Sequence, residues 1–257
     1  MKIFLSALEN AQRCKAEGGG SIAEMIVKSG IKMKYNLMSF FYIQKKTDLA
    51  YYIRDHTEEI LIDSGAHSFQ KGIKVDWLEY TKEYASFIQK FDKPNVIGYF
   101  EMDVDNIIGY DHVLELRKIL ESVSDKIIPV WHKNRGIDDF KRMCETHRGK
   151  VVAITGFKNE DVKDDQYILF VKYARKYGCR IHCLGMTRKN VLDKVPFDYT
   201  DSSSWSAQAR FGRIGEKGKV TLKFSKENRG TVFLENYKEG MRMQEYYHNK
   251  WKKVNND

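Results

Sequence analysis

The 257-residue sequence predicts an α/β protein, a (β/α)8 barrel of TIM type followed by a short basic C-terminal extension and a terminal helix. Three observations carry this reading. Eight short apolar runs, rich in Ile, Val, Leu and aromatic residues, are spread along the chain, and most successive pairs are separated by a segment with helical spacing. Such alternation implies right-handed crossovers and a parallel sheet, and eight units is the number that closes a barrel. No GxGxxG follows the first run, as a doubly wound dinucleotide fold would have it.

Taken in order, residues 2–8 read as a strand and Gly18-Gly19-Gly20-Ser21 as a loop. Ser21 opens a helix that stops at Gly30, with Glu24 three residues on completing a capping box. Residues 37–43 form a second apolar run, and 48–56 place Leu49, Tyr52 and Ile53 on one helical face. Ile60-Leu61-Ile62 then runs into Asp63-Ser64-Gly65. A strand apolar on both faces that ends in polar residues is the expected form of a buried parallel strand meeting a site.

Asp76 caps a long helix carrying Trp77, Leu78, Tyr80, Tyr84, Phe87 and Ile88. Strand 96–100 ends in Glu101-Met102-Asp103 and is followed by a helix over 113–123. Strand 127–130 ends at Trp131-His132 and precedes a helix over 138–147. Strand 151–154 ends at Thr155-Gly156, and helix 166–177 is closed by Gly178. Strand 180–184 ends at Gly185 before a short helix over 188–194, and the last strand, 197–200, ends at Asp201. No boundary interrupts residues 1–204. From 205 to 257 the texture changes to a basic, glycine-punctuated loop, a small strand at 232–234 and a terminal helix over 237–253, expected to pack on the barrel as part of the same domain.

The net charge is +9, from 44 basic and 35 acidic residues, which suits a polyanionic partner. Cys14, Cys144, Cys179 and Cys183 form no CxxC pair, so reduced thiols are expected and a structural zinc site is not. The N-terminal apolar run is too short for a signal peptide, since Glu9 and Arg13 follow at once, and nothing approaches a membrane span. A cytoplasmic protein without membrane contact is expected.

In a barrel the carboxyl ends of all strands face one mouth. That mouth would collect Asp63, Glu101 or Asp103, His132, Thr155-Gly156, His182 to Gly185, and Asp201. Two carboxylates suit glycosyl transfer, one as nucleophile and one as proton carrier. With several histidines they suit a metal site equally well, and a metal-dependent hydrolase would draw on Asp63, His67, His132, His182 and Asp201. A non-catalytic nucleic-acid-binding protein, working through the basic loop 210–229, is the third reading. Glu101 is expected to be a salt-bridge partner rather than a catalyst, Trp205 a packing residue, and Cys183 buried filler.

Asp63-Ser64-Gly65-Ala66-His67-Ser68 resembles the Asp-Ser-Gly-Gly-aromatic-Gln segment of the tRNA-guanine transglycosylase superfamily. Asp201 through Ala209-Arg210-Phe211-Gly212 resembles that family's segment from its nucleophilic Asp to an Arg-x-Gly at the same spacing. His182-Cys183-Leu184-Gly185 resembles its Leu-Met-Gly strand end. In character the chain is most similar to the DNA-directed branch, the 7-deazaguanine DNA transglycosylases of phages and bacterial gene clusters.

The resemblance implies Asp201 as nucleophile on C1′ and Asp63 as general acid and base. It implies Asp103 as reader of the base's polar edge and His67 in the place of a stacking aromatic. Ser64, Gly65, Thr155, Gly156 and Gly185 would line the base pocket, and Arg210 would meet a backbone phosphate. His132 falls near the place of a base-contacting Gln, which a shift of one residue would give to Trp131. No cofactor and no metal are implied.

Several features depart from the family. Ala66 replaces the second glycine, Ala207 a basic residue, and Gly156-Phe157 a Gly-Glu. The cluster of three cysteines and a histidine that binds zinc is absent, as is an appended RNA-binding domain. The expected partners are therefore DNA first and tRNA second, with guanine or a 7-deazaguanine base as the small substrate. A protein partner or a second copy of the chain is the expected source of any further docking surface.

Overall fold

The computed structural model describes residues 1–10, 20–69, 74–155, 162–214 and 229–255. Gly156, Cys14 and most of the 210–229 loop lie outside them. Nine parallel strands form one series: β1 (Lys2–Ser6), β2 (Met33–Ser39), β3 (Thr57–Asp63), β4 (Val96–Phe100), β5 (Ile127–Ile128), β6 (Val130–Trp131), β7 (Val151–Thr155), β8 (Arg180–Leu184) and β9 (Tyr199–Ser202). Their hydrogen-bonded order is β5-β4-β3-β2-β1-β9-β8-β7-β6. The two ends of this series, β5 and β6, are consecutive in the chain and separated only by Pro129.

Proline has no N–H to donate, so it breaks one strand into two short pieces. Its carbonyl still accepts from the Ala153 N–H (2.9 Å), and the Val130 N–H donates instead to Glu101 Oε1 (2.6 Å). The result is a nearly closed, TIM-like barrel in which β5 and β6 together fill the fifth position.

Strand residues alternate between two cores, as a period of two requires. Phe4, Tyr35, Leu37, Leu61, Phe100, Val130, Ala153 and Tyr199 pack together inside the ring. Their neighbours Leu5, Met38, Ile60 and Ile62 pack outward against helices. Alternation then carries Ser6, Ser39, Asp63, His132, Thr155, Leu184 and Asp201 to the inner side at the carboxyl ends of the strands.

The helices are α1 (Ile22–Lys28), α2 (Phe40–Ile43), α3 (Thr47–Asp55), α4 (Trp77–Phe91), α5 (Asp105–Ile108), α6 (Tyr110–Glu121), α7 (Gly136–Thr146), α8 (Tyr167–Lys176), α9 (Lys189–Leu192), α10 (Ser204–Arg210) and α11 (Arg229–Asn255). Both predicted caps form. The Glu24 N–H donates to Ser21 Oγ while the Ser21 N–H donates to Glu24 Oε2, and the Glu79 N–H donates to Asp76 Oδ1.

Three sequence expectations are corrected. The second strand is Met33–Ser39 rather than 37–43, and Phe40–Ile43 is helical. Residues 232–234 are no strand but belong to α11, which begins at Arg229. Ser204–Arg210, for which no element was expected, is helical.

α11 packs on β1, α1 and α10. Its Gly240 lies so close to β1 that a Cβ would come within 2.9 Å of both Leu5 methyls. Gln244 Nε2 donates to the carbonyls of Ile3 and Tyr35, at 2.8 and 2.7 Å. Among the described residues no helix is long and apolar enough to cross a membrane.

Candidate active site at the barrel mouth

Asp63 closes β3, and the turn after it is held from several sides. Gly65 has φ +79°, and its N–H donates to Asp63 Oδ2 at 3.1 Å. A Cβ there would stand 2.4 Å from Phe41 Cβ and 2.8 Å from the Phe41 nitrogen, so both conformation and space require glycine. From α4, the Tyr80 hydroxyl donates to the Ser64 carbonyl (2.7 Å) and that of Tyr84 to the Ile62 carbonyl (3.2 Å). Ser64 is buried, and its Oγ has no partner among the described residues.

Asp201 lies on β9. Its Oδ1 accepts from the Gly185 N–H at 2.8 Å and from His182 Nε2 at 3.1 Å. Among the described residues its Oδ2 has one long contact, from Ser6 Oγ at 3.4 Å. Gly185 reaches this position with φ +63°, in the turn that follows β8. His182 is fully buried between the rings of Phe4, Phe100 and Tyr199.

Asp103 is clamped by two imidazoles. His67 Nε2 donates to Oδ2 at 2.9 Å, and His132 Nε2 donates to Oδ1. Trp131 faces the other way and packs on Phe140 and Phe170, so His132 is the member of that pair at the mouth.

A cavity of about 320 Å³ joins these groups, with Asp63, Asp103, Asp201, His67, Ser6 and Glu9 among its walls. Leu37, Phe100, Val130 and Leu184 supply its apolar surface. Burial pushes the Asp63 carboxyl up to about 6, with His67 opposing the shift and the charges of Asp103 and Asp201 adding to it. Burial likewise pushes Glu9 up to about 7, against the pull of the Glu9 and Ser39 backbone amides and Lys46. Asp103 goes the other way. Burial disfavours its charge, but the hydrogen bonds from His132 and His67 prevail and hold it well below the usual carboxylate range. The same hydrogen bond raises His67 to about 9, and it raises His132 against the effect of that ring's burial.

The predicted site residues thus fall into groups. Asp63, His67, Asp103 and Asp201 line one cavity, while His132 and Gly185 hold Asp103 and Asp201 in place. Ser64 and Gly65 shape the turn behind Asp63. Thr155 is buried at the end of β7, with no partner for its Oγ1 among the described residues. Gly156 lies outside the described residues. Arg210 is exposed at the last turn of α10 and is not among the cavity walls.

Glu101 faces away from the mouth, buried against Arg117 with Nε to Oε2 at 2.5 Å. Trp205 is buried, and its Nε1 donates to the Ser6 carbonyl. Cys183 is buried as well.

Sequence reasoning passed over Ser6 and Glu9, because the first strand was read through to residue 8, and Ser39, because the second was placed at 37–43. It also passed over Asp105. Asp103, Asp105 and His132 bring ligand atoms within 4.8 Å of one another, a set that could hold a small cation, although Arg135 Nε already stands 3.9 Å from Asp105. Comparison with known protein families finds none that matches the chain, and no curated protein matches it.

Proposed function

We propose that the protein exchanges a base at an N-glycosidic bond of a polynucleotide, replacing guanine in DNA with a 7-deazaguanine through a covalent aspartyl intermediate. The supporting observation is the unlike condition of two carboxyls on one cavity. Asp201 has Oδ1 fixed by a backbone N–H and an imidazole, which leaves Oδ2 available to attack. Asp63 is desolvated and keeps its proton up to about 6, which suits a group that donates and recovers protons near neutrality.

In the first step Asp201 Oδ2 bonds to C1′ and the C1′–N9 bond breaks. The electron pair goes to the leaving guanine, which takes a proton from Asp63. In the second step Asp63 removes a proton from the incoming base, whose nitrogen displaces Asp201 from C1′. Two inversions retain the configuration of the sugar. A target base must leave its stack to enter a closed pocket, and a cavity of about 320 Å³ has room for one purine. The charge of +9 favours a polyanion. The resemblance of the Asp63 and Asp201 segments to the transglycosylase superfamily supplies the identity of the base, with tRNA as the alternative polymer.

The test is incorporation of labelled guanine or 7-cyano-7-deazaguanine into duplex DNA or, separately, tRNA, read in the digested nucleosides. Label is expected in DNA with the wild-type protein. With Asp201→Asn the rate should fall by at least about 1,000-fold, the scale for losing a covalent nucleophile. Full activity in that variant would refute the mechanism.

A second reading, metal-dependent hydrolysis, draws on the Asp103, Asp105 and His132 group. Release of base or nucleotide that stops with a chelator and returns only with added metal would favour it.

A further inference from the structure

Glu9 lies on the cavity wall, and neither the proposed mechanism nor the resemblance gives its carboxyl a task. It lies on the single turn Leu8–Asn10, directly after β1, and is 2% exposed. Its Oε1 accepts the Ser39 N–H at 3.1 Å, and its Oε2 has no partner among the described residues. A buried carboxyl oxygen without a partner is costly, and such atoms are retained where a ligand satisfies them. The residue implied as reader of the base, Asp103, is differently placed, since each of its oxygens already accepts from an imidazole.

We infer that Glu9 is a specificity-determining residue of this cavity, its Oε2–H donating to the ring carbonyl of an oxopurine such as guanine. The inference rests on the reading of the cavity as a base pocket. Its chemistry follows from the surroundings. Asp63 faces Glu9, and Asp103 and Asp201 stand on the same walls, so a further negative charge is disfavoured there. Among the described residues Lys46 and His67 are the nearby cations, but Lys46 Nζ donates to the Glu9 backbone carbonyl and His67 to Asp103.

Burial keeps the Glu9 proton on up to about 7. With Oε1 committed to Ser39, that proton sits on Oε2, as a donor seeking an acceptor. A carbonyl answers it, whereas a purine with no oxo group offers a poorer match.

The test is equilibrium binding of labelled guanine to the whole protein, with no polynucleotide present, from pH 6 to pH 8. Wild-type binding should weaken as pH rises through about 7, where Glu9 loses its donor. 2-Aminopurine, which lacks the oxo group, should bind more weakly than guanine. Glu9→Ala should weaken guanine by about tenfold or more, the worth of one buried hydrogen bond. Glu9→Gln is the informative variant. Ser39 orients the amide oxygen inward, so Nε2 becomes a donor that cannot titrate, and guanine affinity should be largely kept while the fall through pH 7 disappears.

Guanine binding that is absent in the wild-type protein, or unchanged in Glu9→Ala, overturns the inference. If Glu9→Ala does not fold, a wild-type pH profile in Glu9→Gln overturns it instead. Glu9-dependent guanine binding without incorporation into DNA or RNA would leave the role of Glu9 standing and remove the base-exchange reading.

Discussion

Asp63, the proposed proton carrier, is held in the folded protein at a cost in stability. In the unfolded chain its carboxyl ionises near 3.8, but in the folded protein burial holds the proton on up to about 6. The native state therefore binds more protons between these values, and stability falls as pH rises from about 4 to about 6. Above about pH 7 the loss is complete and stays constant. Asp63→Asn cannot lose a proton, so it should be more stable than wild type at pH 7.5 by about 3 kcal/mol, and nearly equal at pH 4. Urea denaturation at the two pH values measures the difference, and base exchange should be abolished in the same variant. Equal stability at both pH values would show that the carboxyl is not strained by burial.

Much of this site can be read from the sequence, because strand-end acids such as Asp63, Asp103 and Asp201 follow apolar runs. Glu9 cannot be read in that way. It stands on a turn only three residues past the end of β1, and nothing local distinguishes it from a surface glutamate. The clamp of two histidines on Asp103 joins three separate loops, a relation that only the closed ring creates.

At the level of elements, the weak point of the ring is the strand broken by Pro129. Glu101 mends it from behind, accepting the Val130 N–H with one oxygen and the Arg117 guanidinium with the other. Arg117→Ala would leave a buried carboxylate without its counterion, and should cost about 3–5 kcal/mol in denaturant unfolding. A loss below 1 kcal/mol would mean that water reaches Glu101 and that the pair is not needed.

Strands buried on both faces, such as β4 and β7, match their sequence pattern closely, since nearly every side chain is apolar. β2 does not, because Asn36 looks like a surface residue. It is instead buried, with Nδ2 donating to Thr57 Oγ1 and Oδ1 accepting from the Tyr237 hydroxyl. The aromatic run Phe40-Phe41-Tyr42 favours a strand locally. Tertiary packing prevails, as Phe40 turns away to meet Tyr80, Tyr84 and Phe87 on α4. Val232 and Phe233 are likewise drawn into a helix by burial, with Phe233 packed on Trp205.

For the whole molecule, the charge of +9 leads us to expect that binding of the proposed polynucleotide substrate weakens with salt. If about four phosphates are neutralised, affinity for duplex DNA should fall about 100-fold between 50 and 200 mM salt, and Arg210→Ala should lower the logarithmic slope by about one. Filter binding across a salt series reads both values, and a flat response would exclude a backbone-tracking surface. The ring also joins distant parts of the chain. β1 pairs with β9 so that Ile3 is opposite Thr200 and Phe4 opposite Asp201, and α11 then covers the outer side of β1. During synthesis, β1 leaves the ribosome long before the two elements that complete it. The Asp201 carboxylate meets Ser6 only when that last pairing forms, so a partly translated chain does not yet hold this cavity.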